Sequence, residues 1–437
     1  MPAVLYSADV VCPMTRPVIG DGGVLVVDGR IAAVEQAATL RPSAGREHRV
    51  AGVLLPGLVN AHTHLEHSDA TSLVAGGPHL SWTRTLSGLL ATWPPQRWGR
   101  SAHRGVLSSL RAGTTAVGDV VSRGPAVPAA CRAGLVGDSW VQVAMVDRDS
   151  SDVVLEQLAV SLGLPAEGRR VGIAADSPAV LGSGVLQSLA DLAKRSDVPL
   201  HLHCAETEGE VTAVRDGRGP LAEEARAAGM SFEWLDAGAG AGGVTYLERL
   251  GGLTDRTTLA HAVVVEQPEA ALLAKRGIAV VCCPRADAQL QAGQAPLERF
   301  AAAGTPLALG TESPAAVGDL DVLAEAAAWV SLARQRGLDA WPHRNGKLSL
   351  PEAAVRLATV DGAAAMGWGQ QAGMLATGRR ADLVGVELVT SAATVWQDLI
   401  SSGAGRQVLT VRQGVRVARR ASADEPWPEP DDDSWRP

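Results

Sequence analysis

Residues 170–206 read RVGIAADSPAVLGSGVLQSLADLAKRSDVPLHLHCAE. An apolar run (RVGIAAD, 170–176) is followed by a helical pattern (GVLQSLADLAKRSD, 184–197) and a second apolar run (VPLHLHCAE, 198–206). Two buried-type strands joined by a helix are a parallel strand–helix–strand unit. The same alternation extends in both directions. Six further runs are LLPGLVNAH (54–62), TTAVGDVV (114–121), DSWVQVAMVD (138–147), TTLAHAVVV (257–265), GIAVVCCP (277–284) and TPLALGTES (305–313). Helical patterns such as SAHRGVLSSLRAG (101–113), PEAALLAKRG (268–277) and DLDVLAEAAAWVSLARQRG (319–337) lie between them and end near Gly or a charge. Eight such units in a row predict an α/β fold, a (β/α)8 TIM barrel.

The two ends of the chain carry a different rhythm. Residues 1–54 hold short β-type runs broken by Gly and Asp-Gly turns, with no convincing helix, and ADLVGVEL (381–388) and RQVLTVRQGVRVARR (406–420) repeat that style. The expected organisation is a small β-sandwich from 1–54 plus 368–421, a barrel over 55–367, and an acidic, Pro-rich loose tail over 422–437. The chain has 437 residues, 46% hydrophobic and 20% charged, so it can bury a large core. A net charge of −8 argues against nucleic acid or an anionic membrane surface as partner. No apolar run reaches 18 residues, no secretory signal is visible, and five cysteines are no disulfide framework. The expected location is cytoplasmic.

Active sites of such barrels lie at the C-terminal ends of the strands, so polar residues there are the candidates. Strand one ends in His62-Thr63-His64, two imidazoles on one face at a chelating spacing. Strand five ends in His203, with Glu206 just beyond; imidazole suits a divalent cation, and a nearby carboxylate can move protons of a bound water. His201 shares that face one layer deeper and reads as a hydrogen-bonded interior residue. Strand six ends in His261 and strand eight in Glu312. Polar groups gathered this way are costly to bury unless they bind something.

The stretches PGLVNAHTHLE, HLHCAETEGE, LAHAVVVE, CCPRADAQLQAG, LALGTESPA and the closing GRRADLVGV, in that order, resemble the amidohydrolase superfamily. HTHLE followed by a Trp-bearing helix is similar to its aminodeoxyfutalosine deaminases, in the cytosine/adenosine-deaminase-like branch. The resemblance implies that His62, His64, His203 and Glu312 hold one divalent metal ion, with Zn2+ the first expectation and Fe2+ fitting the same donors. It implies that Glu312 takes a proton from the attacking water, that Glu206 relays protons to ring nitrogen and leaving ammonia, and that His261 orients the nucleophile. The implied reaction is hydrolytic deamination of an aminopurine nucleoside or related amino-heterocycle. Strand four ends in Ala174-Ala175-Asp176, without the lysine that bridges two metals in binuclear members, so one metal is expected. The implied partner is a small-molecule substrate, with a homodimer as the assembly often found in relatives.

Three departures from the family pattern stand out. The strand-eight carboxylate is Glu312 rather than Asp, a difference of about 1.5 Å, one C–C bond length. Asp176 stands where a Pro-His-x-Pro histidine is usual, and Arg285-Ala286-Asp287 replaces Arg-Ser-Asn. Asp176 and Asp287, with Glu66, Arg285 and Ser313, are therefore the expected substrate-binding residues, in an unusually acidic pocket. Two alternatives follow: a repurposed amidohydrolase cutting another C–N bond, or a catalytically lapsed ligand-binding barrel. His67 and His79 read as mouth-lining or exposed loop residues, His103 and His343 as surface, and Cys204, Cys282 and Cys283 as small buried hydrophobes. Trp82 and Trp93 read as core positions on one helix, and AGAGAGG (237–243) as a flexible part of the loop after strand five.

Overall fold

The parallel strands Leu58–Thr63, Thr114–Val121, Val136–Val143, Arg169–Ala175, Leu200–Cys204, Thr257–His261, Ala279–Cys282 and Leu307–Leu309 hydrogen-bond to one another in chain order. They are called barrel strands one to eight below. Each overlaps one of the eight apolar runs, extending at most two residues beyond it. Both faces of such a strand are covered, one by the barrel interior and one by helices, which is why the runs are continuous rather than alternating. The computed structural model describes residues 3–71, 76–122, 126–147, 151–163, 166 and 168–428.

Barrel strands one and eight close the circle at their outgoing ends. The amides of Thr311 and Glu312 donate to the carbonyl of His62 at 3.0 and 3.2 Å, and Thr63 bridges Glu312 in parallel. Gly310 permits this approach: a Cβ there would lie 2.7 Å from Cβ of His62 and 2.8 Å from its carbonyl oxygen. The crossover helices obey the pattern seen in the sequence. In Ser183–Ser196 the buried residues are Val185, Leu186, Leu189, Ala190 and Ala193, spaced to form one stripe, and Asp197 ends the helix in a left-handed conformation.

The chain ends meet in one sheet of seven strands, ordered 415–419, 407–412, 383–387, 46–56, 4–11, 19–27 and 30–36. Strand Leu383–Glu387 pairs antiparallel with Arg46–Pro56 and so joins the C-terminal hairpin to the N-terminal strands. The sheet folds over its own core of Tyr6, Val24, Ile31, Leu54, Leu383 and Val411. The amide of Ile31 donates to Arg379 O at 2.9 Å and that of Ala381 to Gly29 O at 3.0 Å, which ties the 19–36 hairpin to the segment entering the C-terminal strands.

Four details differ from the sequence expectation. A short helix, Ala37–Leu40, and a 3-10 turn, Arg41–Ser43, lie in the N-terminal stretch where no helix is expected. Trp82 lies in helix His79–Ala91, but Trp93 follows that helix; both are buried with Trp98 against Cys283 and Leu290. The AGAGAGG stretch connects helices Trp234–Ala237 and Gly243–Arg249 within an ordered insertion after barrel strand five. At the tail, Ser422 Oγ donates to Glu387 at 2.9 Å and the Arg420 guanidinium lies over the Trp427 ring, so residues 422–428 rest on the β-domain; 429–437 lie outside the described residues. No helix among the described residues is long and apolar enough to cross a membrane.

Candidate metal centre

Four strand ends deliver their polar residues to one point. His62, His203, His261 and Glu312 each offer a ligand atom, and these atoms all lie within 4.8 Å of one another. Glu312 is the hub. Its Oε2 lies 2.6 Å from His62 Nε2, 3.4 Å from His64 Nε2 and 3.7 Å from His261 Nε2. The carboxyl is buried, which opposes its charge, yet the facing imidazoles of His64, His261 and His62 hold it well below the ordinary carboxylate range. Burial pushes the imidazoles of His62 and His203 toward the neutral form in which they ligate.

The backbone is bent to achieve this. Ala205, His261, Ala262 and Glu312 all have positive φ, between 48° and 67°. Such conformations cost non-glycine residues on the order of 1 kcal/mol each and gather where side chains must be aimed.

Further residues hold the centre from outside. His201 donates or accepts at both ring nitrogens, with Thr258 Oγ1 at 2.7 Å and His62 Nδ1 at 2.8 Å, and it stacks flat on Trp140 at 4.1 Å. This is the hydrogen-bonded interior role expected for it. Asp287 Oδ1 lies 2.8 Å from His261 Nδ1, which turns Nε2 of that ring toward Glu206 and Glu312. The charges of Glu206 and Asp287 outweigh burial and raise His261 well above the usual histidine range. Glu210 accepts from the amides of Ala205 and Glu206 at 2.9 and 2.8 Å and so fixes the turn that presents Glu206. The Glu206 carboxylate lies 3.8 Å from His261 Nε2 and 3.1 Å from His79 Nε2.

A divalent cation fits this centre. Buried ring nitrogens His203 Nδ1, His64 Nδ1 and His261 Nε2 have no hydrogen-bond partner, an expense that a bound cation and its water would relieve. Imidazoles with one carboxylate are the donor set of zinc and related ions. No lysine lies on barrel strand four, and the donors converge on one point, so the centre suits a single divalent metal.

The expected substrate-binding residues divide. Asp176, 28% exposed at its side chain, has Oδ1 3.9 Å from His203 Nδ1 and faces the centre. Ser313 adjoins it, hydrogen-bonded to His67 Nδ1 at 3.1 Å and capping the 314–317 turn. Asp287 is buried and committed to His261. Glu66 is fully buried and accepts from the amide of Ser122 at 2.6 Å. Arg285 turns away: its guanidinium pairs with Asp319 at 2.8 Å and Glu325 at 3.6 Å. His67 and His79 belong to the site despite their polar-loop setting. His67 is buried and stacked on His64 at 4.8 Å. The signal for His67 was one more histidine close after His-x-His; His79, fifteen residues on, had none. A separate hollow of about 780 Å³ opens at the opposite end of the barrel, between the strand starts and the 340–349 hairpin, and contains none of these residues.

The model of the amidohydrolase family matches residues 53–414. The chain belongs to the amidohydrolase family. This amidohydrolase is 30% identical over 392 residues to a 5-methylthioadenosine/S-adenosylhomocysteine deaminase of Haloarcula marismortui, covering 85% of this chain and 81% of that protein. It is 32% identical over 333 residues to an aminodeoxyfutalosine deaminase of Deinococcus radiodurans, covering 73% and 77%. Its fold matches the zinc-bound adenosine deaminase structure of Xanthomonas campestris with a TM-score of 0.79 at 23% identity, covering 99% of this chain and 95% of that one.

Proposed function

We propose that this amidohydrolase is a single-metal deaminase of an adenosine-like nucleoside. The observation that carries the reading is the convergence of His62, His203, His261 and Glu312 within 4.8 Å, with the Glu206 carboxylate 3.8 Å from His261. The deaminase relatives point to the nucleoside class.

In this reading His62, His64, His203 and Glu312 hold the cation. His261 is kept for the reacting atoms, because the charges of Glu206 and Asp287 favour its protonated ring, which donates rather than ligates. Zinc is the proposed ion, with Fe2+ compatible with the same donors. The bound cation supplies one thing: a water acidic enough to attack near neutral pH. The Glu206 carboxylate would take a proton from the attacking water and hand it to the purine ring nitrogen next to the attacked carbon. A second proton travels by the same carboxyl to the amino group. The C–N bond breaks, ammonia leaves, and the oxo product remains. His261 donates from Nε2 to the attacking oxygen and holds it over the ring. Asp176, at the edge of the centre, is placed to accept a hydrogen bond from the substrate.

We place the reaction in the cytoplasm, a reducing setting that suits five cysteines with no disulfide among them. The alternative of a lapsed barrel is disfavoured by the intact set of strand-end donors. The alternative of another C–N substrate rests on Asp176, since Asp287 serves His261 rather than the pocket.

The test is ammonia release from adenosine, 5-methylthioadenosine, S-adenosylhomocysteine and 6-aminodeoxyfutalosine by protein loaded with zinc or iron. Cation-dependent release from at least one supports the reading. Release only from a guanidine or pterin overturns the nucleoside assignment, and failure to bind a cation overturns the enzyme assignment.

A further inference from the structure

Glu206 stands between two imidazoles. On the inner side is His261 Nε2, at 3.8 Å, buried and tied to Asp287. On the outer side is His79 Nε2, at 3.1 Å. The two differ in access: the His79 side chain is 26% exposed, that of His261 1%, and Glu206 itself only 8%. Among the described residues, His79 is the imidazole that both touches Glu206 and reaches solvent.

Its position is built rather than incidental. His79 opens helix His79–Ala91, and three residues later Trp82 is buried with Leu86, Trp93 and Trp98 against the end of barrel strand seven at Cys283 and Ala286. That packing holds the first turn of the helix over Glu206. The groups facing the ring are Glu206, His261 and Glu210; burial and His261 disfavour its charge, but Glu206 prevails and lifts its pKa to about 9.

We propose that His79 is a proton relay between Glu206 and bulk water in the deamination reaction. This rests on the deaminase reading above. Hydrolysis of the amino group yields neutral ammonia and returns Glu206 to its carboxylate form, with both protons of water used. For the product to leave as ammonium, one more proton has to reach a site that buried residues close off. The imidazolium of His79 gives its Nε2 proton to Glu206, Glu206 gives one to ammonia, and the neutral imidazole recovers a proton from solvent. The net uptake is one proton per turnover, supplied by water or buffer. Paired with Glu206, the ring stays protonated near neutral pH and holds its Nε2 proton against the carboxylate that passes it on.

The test is chemical rescue of H79A. With cation content per chain and melting temperature equal to wild type, kcat is expected to fall about 100-fold, the lower end of the range for losing a proton-transfer group. KM should change little. Added imidazole should restore kcat in a saturable way, and substituted imidazoles should rank by basicity. H79N is measured in parallel and stands in if H79A does not fold. Wild-type kcat in the folded variant, or a loss that imidazole does not restore, overturns the relay. The deaminase reading fails separately, in wild-type protein that releases no ammonia from any nucleoside.

Discussion

Asp287 Oδ1 lies 2.8 Å from Nδ1 of His261, and this pair explains why an acid replaces the usual amide after barrel strand seven. The carboxylate fixes the tautomer of His261 and favours its protonated form, leaving Nε2 as the donor at the reacting atoms. D287N removes the charge at constant size. It is expected to lower kcat by about 10–100-fold, the usual range for the partner of an active-site imidazole. Cation content should be unchanged, which steady-state kinetics and elemental analysis together would establish.

Glu312 carries the second prediction. Its Oε2 touches three imidazoles, so E312A should lose the cation and all turnover. E312D should retain cation if the centre keeps the geometry of aspartate-bearing relatives. Elemental analysis of both variants, purified without chelator, tests this; cation loss in E312D would show a centre rebuilt around the longer side chain.

His201 braces His62, a proposed metal ligand, from beneath. Replacing it with phenylalanine would keep the stack on Trp140 but strip His62 Nδ1 of its partner. H201F is expected to weaken cation affinity by about 10–100-fold. T258V, one bond further out, should weaken it less. Competition with a chromogenic chelator would rank the three proteins.

Gly310 allows barrel strand eight to reach strand one. The added Cβ of G310A would meet Cβ and the carbonyl of His62 at 2.7 and 2.8 Å. Overpacking of this kind costs about 1–3 kcal/mol. G310A should therefore melt earlier and bind cation less tightly, because the strain falls on a residue of the centre. Calorimetry with and without cation would separate the two effects.

Glu325 supplies a pH prediction. Burial raises its carboxyl to about 8, although Arg285 pulls the other way. An acid whose folded value lies above its unfolded value binds the proton more tightly when folded. Its contribution is therefore most favourable below the unfolded value, near 4.5, and is lost as pH rises through about 8. E325Q keeps an oxygen to accept from the Arg285 amide. Relative to wild type, it should gain stability from about pH 5 to about pH 8 and then level off, read from denaturant midpoints.

The barrel was legible because its evidence is local. Each of the eight strands is an apolar run bounded by turn residues, and His62, His203, His261 and Glu312 stand at run ends where such folds place chemistry. Contacts made across the fold left no such trace. Nothing local pairs Asp287 with His261, 26 residues away, or Arg285 with Asp319 rather than the pocket. Nor does a histidine in a polar loop announce that Trp82, a turn later, will hold it over Glu206. The short Ala37–Leu40 helix escaped for the opposite reason: four residues are too few for a periodic pattern.

The proposed function is a single cation working with Glu206 on an adenosine-like nucleoside. It is tested most directly by adding zinc stepwise to metal-free protein and following ammonia release from 5-methylthioadenosine and 6-aminodeoxyfutalosine. Activity that rises linearly and saturates at one zinc per chain, and is abolished in E206Q with zinc still bound, is the predicted result. Saturation only at two equivalents, or release undiminished in E206Q, would contradict it.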